Sequence, residues 1–421
     1  MPRDFASTPL GVYLPWVPAN QGPVQGQWKT TPVGTNGNHS LQVPGVREIR
    51  PQPKKSAMIL SGLLLLCSWG CGLPSPPSSE SGPRTASGLS CREIRVVGAP
   101  PLTGSIAWFT EGSASDQMPW CRAVGPALVL GHSRLASPPS LPSLSDVAIV
   151  SWNVHVGGGD IDALIRNLRA GGKASGSADH FILLLQEVFR AGPDVPRHPG
   201  SDARWARRVA PGPAERVLRS IDSVAARNRL YLFYVPSMRN GHPDQPSEDR
   251  GNAILSTLPL LGLEALELPV ERQRRVVVSA KVSVLNEEGE PMELRLVNLH
   301  LAPRSRWREF YRSLGSARTE QAQVVVNRYG QEPVVVVAGD LNTWFGGPGE
   351  GAVQVLREAF PEKIPADRPR TLSNFGPLPD LVLDYIFFRP PPGFSTSYSV
   401  LEGRFGSDHH PVIGRFQHNP E

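Results

Sequence analysis

The chain has 421 residues, a formal net charge of +5 and 19% charged residues. That length allows more than one domain and buries a full core without disulfides or metals for stability. The positive charge is mild and dispersed, with no basic run interleaved with aromatics, so it favours anionic substrates without specifying nucleic acid.

Residues 1–57 are rich in Gly, Pro and Asn and carry no periodicity. They are expected to be a non-native or disordered extension, with the true start downstream, near Val46 or at Met58. Lys54 and Lys55 then precede the apolar run Ala57 to Leu66, which ends in Cys67-Ser68-Trp69-Gly70-Cys71. The run is shorter than the roughly 20 residues that span a bilayer, and basic residues ahead of it give the pattern of an export signal. Residues 58–72 are therefore read as a signal similar to that of a bacterial lipoprotein, with Cys71 as a possible membrane tether. The Pro- and Ser-rich stretch that follows has tether composition. Residues 73–144 are expected to be a linker holding a small element that a Cys91–Cys121 disulfide would staple in an exported chain. The expected location is the cell envelope, anchored or secreted. No cysteine occurs after Cys121, which excludes thiolate catalysis and cysteine-ligated zinc in the region beyond.

From 145 onward apolar runs recur. Val147 to Val150 reads as a buried strand leading to Trp152-Asn153, and Ile161, Leu164, Ile165 and Leu168 have helical spacing. Phe181 to Leu185 is a second strand, ending in Gln186-Glu187. A helix over 214–227 and a strand from Leu230 to Val235 follow. Arg250-Gly251-Asn252 enters a strand over Ala253 to Ser256. Arg274 to Val284 and Glu293 to His300 read as a hairpin around Asn286 to Glu290. Residues 305–328 fit a helix, and Pro333 to Ala338 is the strongest core strand, delivering Gly339-Asp340-Leu341-Asn342. Asp384 to Phe388 and Val412 to Phe416 close the domain, here bounded at 145–418. Continuous apolar strands imply sheets covered on both faces.

Taken singly, the polar residues at these strand ends have ordinary explanations. Asn153 reads as a cap, Glu187 as half of an ion pair, His300 as a satisfied core histidine, and Asp340 as the start of an Asx-turn. On an extended chain Asp340 and Asn342 would share one side, whereas Asp408 and His409 would face opposite ways. Together they form an oxygen-rich set that suits Mg2+ or Mn2+, with two histidines suited to phosphate binding and proton transfer. Trp344-Phe345-Gly346-Gly347 lies beside this set and could stack on a base, touch lipid or pack.

The order Trp-Asn, Leu-Gln-Glu, Gly-Asn-Ala-Ile-Leu-Ser, Asn-Leu-His-Leu, Gly-Asp-Leu-Asn, Asp-Tyr and Ser-Asp-His-X-Pro resembles the endonuclease/exonuclease/phosphatase superfamily over about residues 145–418. That group includes deoxyribonuclease-like nucleases, apurinic endonucleases, bacterial sphingomyelinases and inositol phosphatases. The resemblance implies an α+β fold, a four-layered α/β/β/α sandwich of two mixed β-sheets flanked by helices. It implies Glu187 as principal metal ligand, with Asn153 and Asp408 supporting the metal. His300 would contact the scissile phosphate, and Asp340 would position or activate the attacking water. Asn342 would hold the phosphate or that water, and Asn252 would join His300 and Asn342 in binding substrate. Asp384 would orient His409, the general acid/base, with His410 the less suited of the two histidines. The expected activity is metal-dependent phosphodiester hydrolysis of endonuclease type by a monomer, on nucleic acid or phospholipid. The alternatives are a sphingomyelinase-like lipid phosphodiesterase and a catalytically silent surface binding module.

Overall fold

The computed structural model describes residues 90–98, 105–131, 140–171, 178–197, 218–239, 247–271, 273–303, 316–344, 347–360, 370–372 and 381–419. All belong to the second of two units, Gly82–Glu421. The expectations for 1–57 and 58–72, including Cys71, lie outside the described residues.

In chain order the elements are β1 (Ile94–Gly98), β2 (Ala107–Thr110), α1 (Ala114–Cys121), β3 (Ala127–Gly131), β4 (Val147–Asn153), α2 (Ile161–Ala170) and β5 (His180–Ala191). Next come α3 (Ile221–Asn228), β6 (Tyr231–Met238), β7 (Glu248–Ser256), β8 (Leu261–Glu267), β9 (Val276–Leu285) and β10 (Pro291–His300). The last are α4 (Ser316–Tyr329), β11 (Val335–Asp340), α5 (Gly351–Ala359), β12 (Asp384–Arg389), β13 (Phe394–Val400) and β14 (Val412–His418). They form an 8-stranded sheet, β1-β3-β6-β7-β5-β4-β14-β13, and a 6-stranded sheet, β12-β11-β10-β9-β8-β2.

Side-chain parity explains the continuous apolar runs. In β4, Val147 and Ile149 enter the core between the sheets, while Ala148 and Val150 pack outward with Leu164 and Leu168 of α2 and Val224 of α3. In β11, Val336 and Ala338 face inward, while Val335 and Val337 meet Val325 of α4 and Leu356 of α5. Each strand therefore needs apolar residues at both parities, which is what a four-layered sandwich demands. Helix α2 starts where the Asp160 carboxylate accepts the Ala163 N–H at 3.0 Å, an N-cap. Among the described residues no helix is long and apolar enough to cross a membrane.

The segment expected to be a linker, 73–144, contributes sheet edges. β1 pairs in parallel with β3, β3 pairs antiparallel with β6, and β2 pairs in parallel with β8. Backbone pairing orders these strands of four or five residues, a length too short for side-chain periodicity to announce. Cys91 and Cys121 are joined by a disulfide and pack with Val124. β8, β13, α1 and α5 also went unread in the sequence. Of the helices expected over 214–227 and 305–328, residues 214–217 and 305–315 lie outside the described residues.

Strand register sets the chemistry at one rim. His300 pairs with Asp340 across β10 and β11, and Asp340 pairs with Asp384 across β11 and β12. Asn153 ends β4 opposite Gln186 of β5. The amides of the recurring motifs tie the two sheets together here. Asn298 Nδ2 donates to the Leu185 and Ala253 carbonyls at 2.9 Å each, and Gln186 Nε2 donates to Asn298 Oδ1 at 2.8 Å. Gly339 sits at a positive φ of 154°, where an added Cβ would overlap the Leu299 carbonyl oxygen of β10. Gly339→Ala is expected to cost about 1–3 kcal/mol by forcing β11 away from β10. An unchanged urea midpoint for that variant would contradict the close approach.

Candidate active site

Glu187 reaches the rim because the chain departs from regular strand geometry at that residue. The pairing of β5 with β7 shifts register between Leu185 and Val188, and Glu187 takes φ 55°. A bulge of this kind turns a side chain that would otherwise follow the strand's alternation. Glu187 Oε2 accepts the Val156 N–H at 3.0 Å and Arg250 Nη1 at 3.2 Å. Burial pushes its carboxyl up, but the charges of Arg250, then His155 and Arg275, hold it below the usual glutamate range. His155 and Val156 have φ of 47° and 55°, and this tight turn carries the Val156 N–H to the carboxylate.

Asp408 lies on the same side, with Oδ2 2.6 Å from His155 Nδ1. Burial opposes its charge, yet the His155 hydrogen bond and the charge of His409 hold the carboxyl at about 2. Asn153 links this group to the next one. Its Oδ1 accepts the His155 N–H at 2.9 Å, and its Nδ2 donates to Asp340 Oδ2 at 2.9 Å.

Asp340 is 2% exposed. Its carboxyl is raised by burial and by the neighbouring Asp384 charge, against the opposing pull of His409 and the Asn153 hydrogen bond. Its Oδ1 accepts the Asn342 N–H at 2.8 Å, and Asn342 takes φ 52°. The strand has ended, so the expected two-residue alternation does not apply. Asp340 instead caps an Asx-type turn, and Asn342 Nδ2 donates to the Leu301 carbonyl at 3.2 Å.

Asp384 is fully buried, and its Oδ2 accepts His409 Nδ1–H at 2.7 Å. Among the described residues its Oδ1 has no hydrogen-bond partner. Burial alone would lower the His409 imidazole, but the charge and hydrogen bond of Asp384, with the charges of Asp340 and Asp408, together push the ring up to about 10. The loop is fastened through its backbone. Trp152 Nε1 donates to the His409 carbonyl at 3.1 Å, and Ser407 Oγ donates to the Asn153 carbonyl at 2.7 Å. His410 turns away, with Nδ1 2.9 Å from the Leu401 carbonyl.

His300 is paired with a cation, its Nδ1 lying 3.0 Å from Arg275 Nη1. Burial, then the charges of Arg275 and Arg250, hold its ring well below the usual histidine range. Its Nε2 is 3.5 Å from Asp340 Oδ2.

Asn153, Glu187, His300, Asp340, Asn342, Asp384, Asp408 and His409 thus meet at one rim. Asn252 is placed otherwise. It is 4% exposed and its Nδ2 donates to the Val276 carbonyl at 2.8 Å, which holds β7 against β9. This bond uses one amide N–H and ties the two sheets together next to Arg275. Trp344 packs against the cluster of Leu372, Leu381 and Leu383, while Phe345 and Gly346 lie outside the described residues.

The sequence reading missed His155, Arg250 and Arg275. The signal available for the arginines was Arg at the mouth of an apolar strand, which needs a buried acceptor or anion. His155 offered only its spacing two residues after Asn153.

A family model described as Endonuclease/Exonuclease/phosphatase family matches residues 150–409. The chain belongs to that family. Among curated proteins no sequence matches it. Its fold is similar to that of a Neisseria 3' phosphatase, NExo, bound to product DNA hairpin, at 16% identity and TM-score 0.37, covering 64% of this chain and 99% of that one. It is similar to Staphylococcus aureus beta toxin with bound magnesium ions, at 13% identity and TM-score 0.35, covering 64% and 98%. It is also similar to the Xenopus laevis APE2 catalytic domain, at 15% identity and TM-score 0.33, covering 65% and 93%. The family match spans β4 to the loop before β14 and takes in every residue of the rim cluster.

Proposed function

We propose that this chain is an exported, divalent-metal-dependent phosphodiesterase with endonuclease-type chemistry. One juxtaposition carries the reading. The oxygen donors of Glu187, Asp408 and Asn153 adjoin a buried Asp340 and a hydrogen-bonded Asp384–His409 pair. One side of the site thus offers hard-cation ligands, and the other offers groups that handle water and protons.

The donor chemistry fits Mg2+ or Mn2+. Glu187 and Asp408 are carboxylates at the part-exposed edge of the site, Asn153 adds an amide oxygen, and no thiol is present there. Glu187, Asp408 and Asn153 would hold the ion. When bound, it would neutralise charge on the non-bridging phosphate oxygens. Asp340 would orient the attacking water, held in place by Asn153 and the Asn342 N–H. His409, its ring fixed by Asp384 through Nδ1, would offer Nε2 to the developing charge or the leaving oxygen. One atom from each of Asp340, Asp384 and His409 falls within a mutual 4.8 Å, but His409 Nδ1 is committed to Asp384, so this trio serves as a proton relay better than as an ion cage. The Cys91–Cys121 disulfide supports export, since such bonds persist in oxidising compartments.

The test is a hydrolysis panel of supercoiled plasmid, sphingomyelin and a small phosphodiester, each with Mg2+ and with EDTA. Nicking that EDTA abolishes and added Mg2+ or Mn2+ restores is the expected result. Turnover indifferent to EDTA overturns the metal requirement. Cleaved sphingomyelin beside intact plasmid reassigns the substrate to lipid, and silence on all three returns a binding module.

A further inference from the structure

Two histidines at the rim have partners of opposite charge, and only one was legible as half of an acid–base pair. His409 faces a carboxylate through Nδ1. His300 faces the Arg275 guanidinium through Nδ1, at 3.0 Å, with both side chains at most 5% exposed. A guanidinium has five N–H donors and no acceptor. The contact is therefore a hydrogen bond only if His300 Nδ1 carries a lone pair. An imidazolium has none to offer, and neither has the Nδ1–H tautomer.

We infer that Arg275 is a positioning residue that fixes His300 as the neutral tautomer protonated at Nε2. His300 is then a hydrogen-bond donor to a phosphate oxygen and has no free lone pair with which to act as a base. The Nε2–H points towards Asp340 Oδ2 at 3.5 Å, beyond normal hydrogen-bond length, which leaves the donor available to an incoming anionic oxygen. Arg275 lies in the loop immediately before β9. Arg274 and Arg275 are adjacent and reach different partners, Arg274 to Glu267 and Arg275 to His300. The same charge that removes the lone pair opposes ring protonation, in line with the lowered His300 range. The two histidines thereby divide the work, one a fixed neutral donor and the other a group able to exchange a proton.

The phosphate contact rests on the phosphodiesterase reading, whereas the tautomer does not. The deciding measurement is a long-range 1H–15N correlation of the histidine rings in the full chain at neutral pH, with His300 assigned by its loss in His300→Asn. The expected wild-type pattern is a bare Nδ1 and a protonated Nε2. Arg275→Met is expected to give averaged shifts from exchanging tautomers, with kcat on the small phosphodiester down roughly tenfold or more and KM little changed. Arg275→Lys, also a pure donor, is expected to restore the pattern and most of the rate. A wild-type Nδ1–H or imidazolium pattern overturns the inference, as does an unaltered ring spectrum in Arg275→Met. Should Arg275→Met fail to fold, the wild-type spectrum alone decides. Should wild type hydrolyse nothing, the phosphodiesterase reading falls while the ring pattern still stands or fails by itself.

Discussion

His409→Ala is expected to lower the rate of phosphodiester hydrolysis by at least about a hundredfold, the lower end for loss of a general acid/base. The loop should keep its place, because it is held through backbone and neighbouring atoms, although the buried Asp384 carboxylate loses its partner and stability falls with it. The His409 carbonyl accepts Trp152 Nε1–H, and the His409 N–H donates to Ser407 Oγ at 3.1 Å. Alanine keeps both bonds. Glu187→Ala should cost as much for a different reason, since it removes the carboxylate that the β5 bulge turns into the site. Purified, folded variants with full activity would remove both residues from the mechanism. A drop for His409→Ala alone would leave the proton relay standing and move the metal elsewhere.

Glu267→Ala is expected to destabilise the fold by about 3–5 kcal/mol, the cost of leaving a buried charge unpaired. Glu267 and Arg274 are both fully buried, with Arg274 Nη2 2.6 Å and Nε 3.1 Å from Glu267 Oε1. Arg92 pairs with the other oxygen, and Thr110 Oγ1 donates to it at 2.8 Å. This cluster joins the N-terminal strands to β8 beside the Cys91–Cys121 disulfide. Its pH dependence has a definite sign. Burial raises the Glu267 carboxyl, but Arg274 and then Arg92 lower it further, so its folded value lies below the usual glutamate range. A depressed carboxyl stabilises the fold above its unfolded value and loses that contribution as pH falls through the folded one. Urea midpoints should therefore decline between the ordinary glutamate range and the depressed value in wild type, and less so in Glu267→Gln. Equal slopes in the two proteins would show that the cluster does not couple folding to protons.

Much of the site was legible because it lies at strand ends. Buried strands are continuous apolar runs, and a carboxylate, amide or imidazole closing such a run stands out against the cost of burying it. Asn153, His300, Asp340 and Asp384 were found that way. Residues whose placement depends on other elements were not. Asn252 carries a motif's signature, and only the facing Val276 carbonyl reveals that it also bridges the two sheets. Asn342 looked like a strand neighbour of Asp340 until its left-handed φ showed a turn. Arg275 and His155 gain meaning only from His300 and Asp408, 25 residues away in one case and far downstream in the other.

The sequence by itself determined the layered fold from 145 onward, the family and the order of chemical groups along the chain, because hydrophobic periodicity and short motifs are local properties. The tertiary structure alone decided that residues 94–131 supply strands to both sheets, since pairing by backbone hydrogen bonds leaves little trace in composition. It also decided the electrical character of each group. Asp384 and Arg275 set two similar histidines in opposite directions, and an electrostatic effect of that kind depends on distance and burial, which are properties of the folded chain.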